Sequence, residues 1–189
     1  MKTIRSAMLL FFLFTLLLGG VYPVLVTGGA RLFFPHQAAG SIISDSNGRP
    51  IGSALIGQPF TDSRYFRSRP SATAGHAYDP LASGGSNLGP TNPSFLKLVE
   101  ERVNELRAAG IEAPVPADLV LASASGLDPH ISPTAAAAQI PRVAAARGIG
   151  EHELQKIVNS RLEDRQWGIF GEPRLNVLLL NLDLDRIAP

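Results

Sequence analysis

The chain has 189 residues, room for one domain of ordinary size and a short appendage. It contains no cysteine, which excludes a disulfide framework and a thiolate metal site. Lys and Arg number 17 against 16 Asp and Glu, a net charge of +1 without a block of like charges, so nucleic acid is not an expected partner.

Residues Ser6 to Ala30 carry no charge and are mostly Leu, Phe, Val and Met. As a helix they extend about 37 Å, enough to cross a hydrocarbon core with some tilt. A cleaved signal peptide is the rival reading. Against it, the apolar run continues past Gly19 and Gly20 through Val26, and no Ala-x-Ala cleavage site follows. The expectation is an uncleaved anchor over residues 7–29, with 1–6 cytoplasmic and 30–189 forming one extracytoplasmic domain. Lys2, Arg5 and the terminal amine lie before the span and Arg31 alone just after it, so the positive-inside rule puts the N-terminus in the cytoplasm. Gly19 and Gly20 offer a flat face for packing against another helix, and Pro23 is placed to bend this one.

The first strand is expected at Ser53 to Ile56, between Gly52 and Gly57. The Arg64, Arg67 and Arg69 cluster, with Tyr65 and Phe66 between, reads as a solvated edge with acidic partners, phosphate or lipid binding being the alternative. A helix starts at Asn92-Pro93, buries Phe95, Val99, Val103 and Leu106, and stops at Gly110. Asp118 to Ser123 reads as a short strand. Ser132-Pro133 opens an Ala-rich helix to Arg147 and Gly148, which Pro141 should kink or split. Glu151 to Leu162 is a further helix. Arg174 to Leu184, apolar on both faces, reads as a central strand. The fold class is α+β: one transmembrane helix, then a domain with a small sheet and three or four helices.

Two segments stand apart. Tyr78 to Pro93 runs for sixteen residues with few apolar side chains, and holds Ser83-Gly84-Gly85-Ser86-Asn87. Its glycines permit unusual backbone angles, and its short polar side chains can hold turns. It reads as an ordered functional loop, with a flexible excursion as the alternative. Ala124-Ser-Gly-Leu-Asp-Pro-His-Ile-Ser-Pro133 has the same character.

Together these segments resemble the C subunit of the Kdp-type potassium-transporting P-type ATPase. The resemblance extends through Gly52-Ser-Ala-Leu-Ile-Gly-Gln58, Tyr65-Phe-Arg-Ser-Arg-Pro-Ser71 and Asn176-Val-Leu-Leu-Leu-Asn181, so it covers nearly the whole chain. It implies a single-pass accessory subunit of a plasma-membrane pump of bacterial type. The partners implied are a channel-like potassium-translocating subunit, a P-type ATP-hydrolysing subunit and a very small membrane subunit. It also implies a catalytic-chaperone role that raises the ATP affinity of the hydrolysing subunit. No cofactor is expected to bind tightly, and ATP enters only through this resemblance.

The residues themselves suggest no catalysis. No Gly-Lys-Ser/Thr phosphate loop, Asp-Lys-Thr-Gly-Thr sequence or nucleophile elbow is present. Ser83-Gly-Gly-Ser86 resembles an anion-cradling nest, with partner docking the preferred reading. Asp128 and His130, with Ser125 and Ser132 nearby, form the only acid-base grouping. They leave open a membrane-anchored envelope hydrolase. The competing reading has Asp128 and Ser132 bonding turn and helix-start amides. A structural envelope module is a third possibility. The histidines are scattered without metal-ligand spacing, so no metal site is expected. The candidate docking residues are Ser83, Gly84, Gly85, Ser86, Asn87, Asp128 and His130.

The charge bias yields a topology test. A reporter active only in the cytoplasm, fused after Pro189, should be silent. Signal from that fusion, or a mature chain that begins near residue 20 to 30, would contradict the anchor.

Overall fold

In the computed structural model, which describes residues 2–112 and 114–187, helix α1 (Lys2–Leu16) runs through a π turn at Leu17–Val21 into α2 (Tyr22–Phe33). The continuous helix Lys2–Phe33 is long and apolar enough to cross a membrane. The wide turn has a local cause. Pro23 has no N–H, and its ring collides with the carbonyl four residues earlier in a regular helix. The chain relaxes into a turn whose closing bond runs from the Tyr22 amide to the Leu17 carbonyl. Gly19 and Gly20 sit inside that turn with almost nothing facing them.

A one-turn helix α3 (Pro35–Ala38) leads to the antiparallel pair β1 (Ile42–Ser44) and β2 (Pro50–Ser53). The hairpin between them is held by the Asp45 carboxylate, which accepts the amides of Asn47 and Arg49 at 2.8 Å each. The strand therefore precedes the expected Ser53 to Ile56. The chain leaves the ladder after Ser53 because the next backbone groups bond elsewhere: the Ala54 carbonyl accepts from Asn176 and the Gly57 amide donates to Leu127. The chain divides into two compact units between Ser53 and Ala54.

The second unit contains, among the described residues, α4 (Pro93–Ala108), α5 (Pro133–Arg147), α6 (Glu151–Ser160) and α7 (Val177–Ile187), with the two-residue strands β3 (His130–Ile131) and β4 (Leu175–Asn176) paired antiparallel. This is the expected α+β class. Asn92 accepts from the Ser94 amide at the start of α4, and Gly110 beyond its end takes a φ of +85°. Only the C-terminal half of α4 is buried, at Leu106 with Val103 against the core, while Phe95 and Val99 are half-buried. Helix α5 is capped by Ser132 and ended by Gly148 at a φ of +67°. Pro141 does not split it. The carbonyl this proline leaves without its helical donor belongs to Ala137, an exposed residue where water can serve.

Two expected strands are not strands. Asp118 to Ser123 opens as a 3-10 turn (Ala117–Leu119), because the Ala117 carbonyl accepts the Val120 and Leu121 amides and the Asp118 carboxylate takes the Ser132 amide at 2.6 Å. Arg174 to Leu184 is strand only at Leu175–Asn176 and then turns into α7. Asn176 Oδ1 accepts the Leu179 amide and starts the helix. The buried residues Val177, Leu178, Leu180, Asn181 and Leu184 follow the helical repeat.

Two amide side chains tie the extended segment around Phe66 to these helices. Asn181 of α7 accepts from the Phe66 amide and donates to the Phe66 carbonyl, both at 2.9 Å. Gln139 of α5 accepts from the Arg67 amide at 2.7 Å and donates to the Arg67 carbonyl at 3.2 Å. One backbone donor and one acceptor face each amide, so only one orientation of each side chain satisfies both. Arg142 adds bonds to the Ser63 and Tyr65 carbonyls at 2.7 and 2.9 Å. Burial, with Arg67 nearby, pulls its pKa down to about 10, leaving it charged at neutral pH.

Asn181→Ala should lower stability by about 2–4 kcal/mol, since it strands a buried N–H and a buried C=O of Phe66. Thermal or denaturant unfolding of the detergent-solubilised chain measures this. Gln155→Ala, which breaks only a solvent-side amide pair with Asn159, should cost less than about 0.5 kcal/mol.

Candidate functional site

The two glycine- and serine-rich segments are packed on each other. The Ser125 carbonyl accepts from the Gly84 amide at 2.9 Å and from the Ser83 hydroxyl at 3.0 Å. Gly85 lies so close to the same turn that a Cβ would come within 3.1 Å of the Ala124 carbonyl oxygen. Gly126, at a φ of +67°, faces back: a Cβ there would meet Thr73 Cγ2 at 2.7 Å and the Gly84 carbonyl at 2.8 Å. Close approach of one loop to the other therefore excludes a side chain at 126 and crowds one at 85. Ser86 and Asn87 lie beyond this contact and are exposed, Asn87 with a φ of +53°.

A third segment fixes the pair from beneath. The Ser71 hydroxyl donates to the Gly126 carbonyl at 2.8 Å and accepts the Tyr78 amide at 2.9 Å. Tyr78 is buried, sits at a φ of +61°, and donates its hydroxyl to the Arg69 carbonyl. Burial, the largest influence on it, holds its phenol above the usual range. Its ring lies against Gly57, where any Cβ would overlap it. Gly57, Arg69 and Tyr78 are not among the docking residues expected from sequence. The signal available was an isolated glycine between Ile56 and Gln58, with no local pattern to reveal its partner twenty-one residues on.

Asp128 and His130 occupy the same surface, two and four residues past Gly126. The Asp128 carboxylate accepts the His130 amide at 3.0 Å, pairs with His130 Nδ1 at 3.1 Å and meets Arg69 at 3.1 Å. Burial pushes this carboxyl up, but the His130 ring, the His130 amide and Arg69 together outweigh it and hold it below the ordinary carboxylate range. Arg69 thus has an acidic partner, as does Arg64 in Asp62.

These groups border an open cleft of about 460 Å³ that also includes Asp118, Ser132, Glu172 and Arg174. Ser125 Oγ accepts the Leu127 amide, and Ser132 Oγ accepts the Ala135 amide at the head of α5. Among the described residues no serine is hydrogen-bonded to the His130 ring, and no three His, Asp or Glu residues group in a way that could hold a metal ion. Gly19 and Gly20 belong to the other unit, in the π turn.

Comparison with known proteins gives a consistent set of similarities. A family model described as KdpC, K+-transporting ATPase, c chain, matches residues 4–186. The chain is 61% identical over 188 residues to the potassium-transporting ATPase KdpC subunit of Geotalea uraniireducens, and both proteins are covered in full. It is 58% and 57% identical over 189 residues to the proteins of the same description from Geobacter metallireducens and Geobacter sulfurreducens, again over 100% of each.

The Asp128 pairing has a pH signature. Its pKa is lowered on folding, so its contribution is present above the unfolded value, about 4, and disappears as pH falls through the folded value. Melting temperature measured against pH should drop on acidification below about pH 4, and Asp128→Asn should flatten that drop. An identical acid profile for the variant would show that the pairing does not contribute.

Proposed function

The chain belongs to the KdpC family of K+-transporting ATPase c chains, and on that footing we propose that its globular unit is a docking module held beside the pump by the apolar helix. As a member of that family it is an accessory subunit in potassium import, and ATP hydrolysis lies on another chain of the complex. The observation that carries the docking reading is the mutual packing of the Ser83–Gly85 and Ala124–Gly126 segments, which fixes the path of both loops through hydrogen bonds and close backbone approach at the glycines. A surface held this way is preorganised, and preorganisation reduces the entropic cost of association.

In this reading Ser86 and Asn87 present the outer edge of the contact and the Arg69–Asp128–His130 group forms its charged flank. Gly19 and Gly20, which have almost no neighbours, form the membrane-level counterpart against partner helices. The proposed partners are the potassium-translocating, ATP-hydrolysing and very small membrane subunits. With the N-terminus in the cytoplasm, the globular unit would lie outside the membrane over the potassium entrance. A raised ATP affinity of the hydrolysing subunit, as the chaperone role requires, would then pass through the assembled complex rather than through nucleotide bound here.

Gly85→Val and His130→Gln separate docking from catalysis. Valine at 85 presses on Ala124, and should reduce the yield of assembled complex or the apparent potassium affinity about fivefold or more, the equivalent of about 1 kcal/mol. Glutamine at 130 keeps hydrogen bonding and removes the general base, and should change potassium-stimulated ATPase by less than about twofold. Loss of activity in the intact His130→Gln complex, with Gly85→Val unaffected, would overturn the proposal.

A further inference from the structure

Between α6 and β4 the chain makes a small hairpin whose tip is apolar and uncovered. Trp167, Ile169 and Phe170 are 87%, 71% and 58% exposed. The stem is well held. Glu163 and Arg174 exchange both backbone hydrogen bonds at 2.9 Å, and ion pairs join Arg174 to Glu163 at 3.0 Å and Arg165 to Glu172 at 2.6 Å. The turn places both Trp167 and Gly168 at positive φ, the requirement of a tight hairpin turn. The Trp167 and Phe170 rings meet edge to face at 6.0 Å. Among the described residues of the globular unit nothing covers these side chains, although a large apolar side chain at a strained turn position is otherwise unfavourable.

The place of the hairpin narrows what could cover it. Its closing residue, Arg174, lies two residues before Asn176, whose side chain donates to the carbonyl of Ala54 at 2.7 Å. Ala54 is the first residue of the globular unit. Just before it, Ser53 donates to the Gly40 carbonyl at 2.7 Å, so the β1–β2 excursion closes on itself. Only residues 34–39 separate Gly40 from Phe33, the last residue of the long apolar helix. Fully extended, that link spans on the order of 25 Å. The root of the hairpin is therefore tied by a short chain path to the helix that is long and apolar enough to cross a bilayer.

We propose that the Trp167–Phe170 tip is a membrane-contact element that inserts into the headgroup–acyl boundary of the bilayer that the apolar helix is long enough to cross. Tryptophan is suited to that boundary because its indole N–H meets water while its ring meets hydrocarbon, and phenylalanine and isoleucine supply the apolar side chains beside it. Residues 166–171 carry no charge, and the three basic and three acidic residues between 161 and 174 cancel, so a zwitterionic surface is matched without electrostatic attraction. Three side chains are too few to make a standard protein interface by themselves. They suffice for a tethered contact, since the anchor converts insertion into an intramolecular event at high effective concentration. This reading stands apart from membership of the pump.

Trp167 is the chain's single tryptophan, so its fluorescence reports the tip directly. The full chain, without partner subunits, is inserted in phosphatidylcholine vesicles with and without lipids brominated near the top of the acyl chains. Brominated lipid should quench Trp167 by about half or more, and aqueous acrylamide should reach it several-fold less than it reaches a free tryptophan amide. The pair Ile169→Asp and Phe170→Asp should reduce the lipid quenching at least about twofold, with Ile169→Ser intermediate. All these side chains are exposed, so far-UV circular dichroism should be unchanged. Three results would overturn the proposal: a Trp167 open to acrylamide and blind to brominated lipid; quenching by lipid that the aspartate pair does not reduce; or shielding that appears only when the other subunits are added, which assigns the tip to a protein pocket.

Discussion

Everything above the helices of the globular unit depends on two amide side chains gripping two consecutive backbone units. Asn181 and Gln139 each offer one acceptor and one donor, and Phe66 and Arg67 each present one donor and one acceptor. The result has the hydrogen bonds of a strand pairing without a partner strand. It also buries Phe66 completely. Among the described residues this unit has only a two-residue ladder between named strands, little sheet to organise its loops, so this clamp supplies the fixed edge from which they are built.

From that edge the constraints pass outward in a traceable order. Arg69, two residues beyond the clamp, accepts the Tyr78 hydroxyl on its carbonyl and offers its guanidinium to Asp128. Ser71 then joins the amide of Tyr78 to the carbonyl of Gly126. Each link uses a polar group that would otherwise be orphaned in a partly buried setting. Gly57 and Gly126 mark where the three segments come too close for a side chain, and Gly85 where one would be crowded. A second layer secures the other side: Arg142 and Arg147 hold the carbonyls of Ser63, Arg64 and Tyr65, and the Arg147 guanidinium lies 4.9 Å from the Tyr65 ring centroid.

The pattern of what could be read from sequence follows the range of the interactions. Asn92-Pro93 and Ser132-Pro133 announce helix starts because the cap bonds within three residues, and Gly148 announces a stop for the same reason. The run from Leu175 to Leu184 misleads because it is apolar throughout, and a buried helix and a buried strand share that signature. The asparagines at 176 and 181 were the clue: the first begins the helix, and the second sits at an inward register where only a bonding partner justifies an amide. Asp118 to Ser123 misleads in another way, since its turn is closed partly by Ser132, fourteen residues later. The two loops were recognisable as ordered from their composition. Their mutual contact was not, because Ser83 and Ser125 are forty-two residues apart and no periodicity links them.

The same accounting bears on what the loop surface is suited to do. Ser71, Ser83, Ser125 and Ser132 all have hydroxyls engaged with backbone groups, and the Asp128 carboxylate serves a main-chain amide, an imidazole and a guanidinium at once. A nucleophile needs a hydroxyl that a base can deprotonate, and a base needs a pKa raised toward neutrality; here the carboxyl is lowered instead. Polar groups committed inward leave outward a surface defined by shape, with a few exposed side chains such as Ser86 and Asn87 at its rim. Recognition by shape is what a subunit requires when it contributes geometry to a pump whose chemistry resides on another chain.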